Sequence, residues 1–339
     1  MTVAGSNQQD QAGVSRSVGS ESLSQLVARI LDQLSVSAWL PAAMLVAMVV
    51  VGVQLREADG DISVALRSSG AIGLPSVLLL IGAVIVTTVL TQAFQFEAIR
   101  HLEGYWGHGR VRVRLADVLA RRHLARRDRL EQRQRDATTR AFPRARQKMI
   151  AAQISQPVVD ALELLVTLGS APTATDGALR EARSIDWLNF APLRDRREIA
   201  ELGAALARYP RADVLIQPTL FGNTLRAYEE EVHSLGYGPL EHLIQSSFHT
   251  LPPPVQSEHD QFRSRLDLYC TLTPTFLVGG AAVAMLVAET GLLTPASVVV
   301  VSVLLSWLSY RAAVTSAQAY GGVLVTIAER LLRPAEQPV

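Results

Sequence analysis

Residues 269–310 read YCTLTPTFLVGGAAVAMLVAETGLLTPASVVVVSVLLSWLSY, and the only Asp, Glu, Lys or Arg among them is Glu289. A helix rises about 1.5 Å per residue and a bilayer's hydrocarbon core is about 30 Å thick, so about 20 apolar residues span it. The stretch therefore divides into two spans, 269–288 and 292–310, joined by a turn at Glu289, Thr290 and Gly291. The pattern occurs once more upstream, where 38–55 and 72–92 also lack Asp, Glu, Lys and Arg. The expected fold is an all-α polytopic membrane protein. Four transmembrane helices form two hairpins that flank a helical cytoplasmic domain. The expected order is a disordered N-terminus (1–20), an amphipathic helix (21–36), hairpin one (37–92), the cytoplasmic domain (93–268), hairpin two (269–310), and a C-terminal cytoplasmic helix and tail (311–339).

Charge sets the orientation. Residues 93–155 hold 15 basic and 6 acidic side chains, whereas 156–268 hold 10 basic and 16 acidic. The two halves of the insert either pack against each other or sit at different distances from an anionic membrane. Eleven arginines follow the second span within 93–136, while the loop after span one carries Arg56, Glu57, Asp59, Asp61 and Arg67. The positive-inside rule then places the insert and both termini in the cytoplasm of a bacterial cell, the protein being multi-pass in the inner membrane. Trp39, Tyr105, Trp106, Trp307 and Tyr310 stand near span ends, as interfacial aromatics do. Of the 32 cations only Lys148 is a lysine, a bias along the whole chain that points to a high-GC genome rather than to phosphate recognition. Cys270 is the sole cysteine, which excludes an internal disulfide and a thiolate metal cluster. Residues 1–20 are polar, lack an apolar core and read as disordered rather than as a signal peptide.

Leu23, Leu26, Val27, Ile30, Leu31 and Leu34 form one helical apolar face before the first span. Pro41 and Pro75 fall near the starts of spans one and two, and Thr294-Pro295 reads as a cap and first helical residue of span four. Span three is too short if it starts at Pro274, so its helix is expected to begin near Ser257-Glu258 and kink at Pro274. Span two is expected to continue through 94–102. Span four is expected to continue along Val314, Ala317, Tyr320, Val323, Leu324, Ile327 and Leu331, giving rigid stalks into the insert. Within the insert a short strand is expected at 110–114. Helices are expected at 115–135, 157–168 (closed by Gly169), 193–208, 221–235 and 239–250, with a loop at 170–177.

The most distinctive string is Pro218-Thr219-Leu220-Phe221-Gly222-Asn223-Thr224-Leu225-Arg226-Ala227-Tyr228-Glu229, with Tyr237-Gly238 after it and Ala319-Tyr320-Gly321 beyond the last span. Over about 208–333 this resembles a pattern in uncharacterised bacterial four-span membrane proteins, many of them actinobacterial. The chain departs from that pattern at Pro239-Leu240 and at Ile244-Gln245-Ser246, where the pattern has Trp-Pro-Arg. The resemblance implies no activity. Read physically, Thr219, Gly222, Asn223, Arg226 and Glu229 form either a small-ligand or phosphate site at a helix N-terminus, or a domain-docking turn held by an Arg–Glu pair. The docking turn is favoured, because neither a Walker lysine nor a Rossmann glycine triplet is present.

The seven histidines show no metal-ligand spacing, and no His-Glu-x-x-His or Gly-x-Ser-x-Gly string occurs. The sequence thus points to no enzyme, no metal and no cofactor. The segment from Arg110 to Lys148 has 14 cations and 4 acids but one aromatic, Phe142, which argues for anionic lipid headgroups, or the acidic second half of the insert, as partner rather than nucleic acid. In the spans, Gly280, Ala284 and Ala288 form a small-residue stripe suited to close helix packing and a homo-oligomer. Thr87 and Thr91 on span two, and Ser302, Ser306 and Ser309 on span four, either face a pore or bond to neighbouring backbone. The absence of ionisable residues in the spans argues against an ion-coupled transporter but leaves a dewetting pore open. Two functions follow. One is a membrane scaffold or regulatory protein whose cytoplasmic domain binds an unknown protein or small ligand. The alternative is a ligand-gated pore.

Overall fold

The computed structural model describes residues 36–61, 63–64, 74–169, 173–236 and 248–332. The N-terminal segment 1–20, nearly all of the amphipathic helix at 21–36, and residues 237–247 lie outside these. Among the described residues every regular element is a helix: α1 Val36–Glu57, α2 Leu74–Glu103, α3 Arg110–Ala151, α4 Gln156–Leu168, α5 Asp176–Ser184, α6 Leu193–Leu206, α7 Leu220–Ser234, α8 Pro253–Leu286 and α9 Leu293–Leu332. Four of them, α1, α2, α8 and α9, are long and apolar enough to cross a membrane. The fold is all-α and polytopic.

The spine is the antiparallel pair α8 and α9. At 34 and 40 residues, these helices exceed what about 30 Å of hydrocarbon requires, so both continue well beyond it. Helix α8 begins at Pro253, four residues before the expected Ser257, and passes Pro274 without a break in the helix. Helix α9 starts at Leu293, which leaves Pro295 in the first turn, where its missing N–H costs little. Glycines set the close approaches in the bundle. A Cβ on Gly280 would lie 2.2 Å from the Ser302 hydroxyl of α9, and one on Gly279 would lie 2.9 Å from the Met48 sulfur of α1. Helix α2 lies on the outside, with Leu79, Val86, Val89, Phe94 and Phe96 exposed, as side chains that face lipid are.

The insert is built around α3. The sequence predicts a short strand at 110–114, where Val111 and Val113 alternate with arginines. In the structure both valines are exposed, so no sheet partner rewards the alternation, and one helix of 42 residues runs from Arg110 through Pro143 to Ala151. Phe142 and Met149 of α3 pack with Val158, Val159 and Leu162 of α4 and Ala182 of α5, and Trp187 stands edge-on to Phe142 at 5.4 Å. Ala137 and Ala141 meet Ile199 of α6. Helix α4 ends as the sequence predicts, with Gly169 left-handed at φ 73°. Helix α5 begins at Asp176, capped by Thr175, inside the segment expected to be a loop. The expected helix at 239–250 is described only at its end, where Phe248–Thr250 is a single 3₁₀ turn.

Basic and acidic halves of the insert meet. Arg140 pairs with Glu198 at 2.9 Å, Arg144 with Asp195 at 3.1 Å, and Arg146 with Asp160 and Glu163 at 3.1 and 3.2 Å. These pairs are partly exposed and each contributes about 0–1 kcal/mol, so they orient α3 on α4 and α6 more than they stabilise it.

Candidate functional site

The 218–229 string forms the joint between insert and membrane bundle. Thr219 caps α7 by accepting from the Gly222 N–H at 3.0 Å, and its own hydroxyl donates to the Leu102 carbonyl of α2 at 2.5 Å. The next two free amides of α7, Leu220 and Phe221, donate to the Tyr310 hydroxyl of α9 at 3.1 and 3.2 Å. The exposed N–H groups that make a helix N-terminus an anion site are therefore taken up by side chains of the chain itself. Gly222 faces the Glu103 carbonyl, and a Cβ there would sit 2.0 Å from that oxygen. Opposite, Gly104 has φ 107° and lies against Pro218. That backbone conformation suits glycine, and the close contact with the ring leaves no room for a side chain.

Asn223 is fully buried and makes three hydrogen bonds. Its Nδ2 donates to the Gln217 and Thr219 carbonyls at 2.8 and 2.7 Å, and its Oδ1 accepts from the Gln217 N–H at 2.8 Å. Arg226 pairs with Glu229 and donates to the Tyr105 hydroxyl, with its guanidinium over the Tyr105 ring at 5.9 Å. Burial alone would lower the Arg226 pKa, but the Glu229 carboxylate and the Tyr105 hydroxyl outweigh it and raise the value, so the group stays cationic. One turn further, Tyr228 packs on Gly321 of α9, where a Cβ would meet the ring at 2.1 Å. Glu230 accepts from the Arg211 and Ala212 amides at 2.5 and 3.1 Å. The same loop is gripped from α3 by Arg127, which donates to the Pro210 and Arg211 carbonyls and to Asp213 at 2.5 Å.

The five motif residues Thr219, Gly222, Asn223, Arg226 and Glu229 thus run along α7 from its cap to its third turn, and Gly222, Arg226 and Glu229 line one small cleft with Glu103 at the end of α2 and Tyr105 just beyond it. Three partners carried no sequence signal for this contact: Leu102 and Glu103, whose carbonyls meet Thr219 and Gly222, and Tyr310, read only as an interfacial aromatic, whose hydroxyl caps α7. Ala319-Tyr320-Gly321 also falls at a contact, since Tyr320 bonds to Nε2 of the buried His259 on α8 at 3.0 Å and Gly321 receives Tyr228.

The span residues are placed as follows. Ser302, Ser306 and Ser309 are buried, Ser302 lies against Gly280, and the Ser306 hydroxyl donates to the Thr273 carbonyl at 2.9 Å. Thr91 donates to the Thr88 carbonyl at 3.0 Å, and Thr87 lines an apolar cleft between α2 and α8. Gly280 is buried within the hairpin, Ala284 is half-buried, and Ala288 lies past the end of α8 in the exposed turn Ala288–Thr290. The three small residues therefore do not form one continuous helical stripe. Among the described residues no group of three His, Cys, Asp or Glu side chains stands close enough to hold a metal ion.

These features define an all-α polytopic protein whose helical insert is docked onto its own spans through the N-terminus of α7. Comparison with protein families, with curated proteins and with solved structures returned no match.

Proposed function

We propose that this protein is a non-enzymatic scaffold or regulatory component of a bacterial inner membrane, with its insert and both termini in the cytoplasm and the insert presented to a soluble partner. The observation that carries the reading is the α7 joint. Tyr310, Leu102 and Glu103 from the spans engage the first turn of α7, so the insert is held at a fixed place on the membrane. A surface held in one pose loses less conformational freedom on binding a partner, which favours recruitment. The packing of Ser302 on Gly280 and the Ser306 bond to Thr273 favour the scaffold over the ligand-gated pore, because these hydroxyls serve the hairpin rather than a water-filled path. The proposal keeps the likeness to the actinobacterial-type four-span proteins and includes self-association, which the mass of the detergent-solubilised protein tests.

Recording from purified protein in planar bilayers tests the choice of function. The scaffold predicts no unitary currents. Reproducible unitary currents altered by Ser306→Leu would replace it with the pore.

A further inference from the structure

An apolar cleft of about 670 Å³ runs beside α2, walled by Leu45 of α1 and by Pro274, Leu277 and Val278 of α8. Its size is that of a small-ligand site. Leu90 and Phe94 line it and are exposed, and its end nearest the insert is formed by Glu97, Ala98 and His101. Glu97 and His101 also line a second cleft, of about 640 Å³, between the end of α2, the turn at 104–109, the start of α3 and residues 216–218. The two clefts therefore adjoin at Glu97 and His101, with opposite chemistry on either side. Arg100 follows Leu90 by about 15 Å along the helix, so the apolar cleft lies beside the span and the second cleft at its end on the insert's side.

The second cleft has the character of a headgroup site. Trp106 is fixed by donating from Nε1 to the His101 carbonyl at 2.8 Å, and Arg112 reaches the Trp106 carbonyl at 3.4 Å. Arg100 lies over the Tyr105 ring at 5.8 Å. The charged groups lining the cleft are Arg100, Arg112, Glu97 and Asp117. Asp117 is paired with Arg121 at 2.8 Å, whereas neither Arg100 nor Arg112 forms an ion pair among the described residues. The cleft thus offers two guanidinium groups, Arg112 without a carboxylate partner and Arg100 within electrostatic reach of Glu103, at the end of α2 on the insert's side.

We propose that the adjoining clefts hold one anionic glycerophospholipid from the leaflet on the insert's side, with an acyl chain along α2 and α8 and its phosphate between Arg100 and Arg112. Such a lipid fills a groove that the bundle leaves open and touches Pro218 of the loop that leads into α7. Native mass spectrometry of the full-length protein in mild detergent tests this, with phosphatidylglycerol, phosphatidylcholine or inorganic phosphate added. The expected result is one phosphatidylglycerol retained per chain, with phosphatidylcholine about tenfold weaker. Arg100→Gln with Arg112→Gln should lower phosphatidylglycerol retention about tenfold or more, and Arg133→Gln, on an exposed part of α3, should not. Ala98→Trp should plug the neck and weaken both lipids, which decides the matter if the arginine variant fails to keep its helical circular dichroism. Equal retention of the two lipids, retention unchanged by the arginine and neck variants, or displacement of the lipid by millimolar inorganic phosphate would each overturn the proposal.

Discussion

Gly222 of α7 and Glu103 of α2 touch backbone to backbone, so closely that a Cβ on Gly222 would lie 2.0 Å from the Glu103 carbonyl oxygen. The contact joins residues 119 positions apart and ties the insert to the second span. Around it, Thr219, Asn223, Tyr310 and Gly104 each contribute one element of the same joint.

Gly222→Ala should therefore force the joint apart. The obstacle is a carbonyl rather than a flexible side chain, so the substitution should destabilise by about 1–3 kcal/mol or more. Thermal unfolding of the detergent-solubilised protein measures this. Gly82, which has open space around its Cβ position, should take alanine without loss and serves as the comparison. Equal melting temperatures for Gly222→Ala and Gly82→Ala would refute the tight contact.

Asn223 needs both faces of its amide. Asn223→Asp keeps an acceptor for the Gln217 N–H but places a carboxylate against the Gln217 and Thr219 carbonyls, 2.8 and 2.7 Å from the present Nδ2. Asn223→Ala removes the partner of the half-buried Gln217 N–H and carbonyl, at about 1–3 kcal/mol each, whereas the Thr219 carbonyl keeps the Asn223 backbone amide. Both variants should unfold earlier, with aspartate no better than alanine near neutral pH. If aspartate restores wild-type stability, the hydrogen-bond assignment at Nδ2 is wrong.

His123 of α3 contacts the Tyr209 hydroxyl at 3.3 Å. Burial, aided by Arg126, lowers its pKa from the ordinary 6.5, so the fold keeps the ring neutral. Well above pH 6.5 the ring is neutral in folded and unfolded chains alike, and its contribution is complete. As pH falls below that value toward the lowered folded-state pKa, the unfolded chain takes up the proton first and stability is lost. Replacing His123 with Gln should flatten the decline in melting temperature between pH 7 and 5. Superimposable pH profiles for variant and wild type would show that His123 contributes nothing to acid sensitivity.

Topology is open to a direct chemical check. Gly177 is exposed in the first turn of α5, and the sole cysteine, Cys270, is buried. With Gly177→Cys, a membrane-impermeant thiol reagent should fail to label intact cells and should label inverted vesicles. Labelling of intact cells would reverse the proposed orientation.

The spans and the stalks were legible because hydrophobicity over about 20 residues is a local signal, and because the apolar stripe continues from Val314 to Leu331 without interruption. The turn at Gly169 and the position of α7 were legible for the same local reason. The alternation at 110–114 gives a helix and not a strand, since alternation carries meaning only when one face is buried, and Val111 and Val113 have no such face. The α7 string stood out, but its partners did not. Leu102, Glu103 and Tyr310 lie about a hundred residues away on either side, and only the fold brings them to Thr219, Leu220 and Gly222. Likewise the serines of α9 read as a polar stripe, but the helix they face is set by Gly280 and Thr273 on α8.

The account rests on the insert and the spans forming one body through the α7 joint. Distance measurement between spin labels tests this most directly, with cysteines placed at Val214, which is 88% exposed beside the joint, and at Glu329 on the exposed side of α9. In lipid nanodiscs the pair should give one narrow distance distribution, and adding Gly222→Ala should broaden it. A broad or multi-peaked distribution without that substitution would contradict the account.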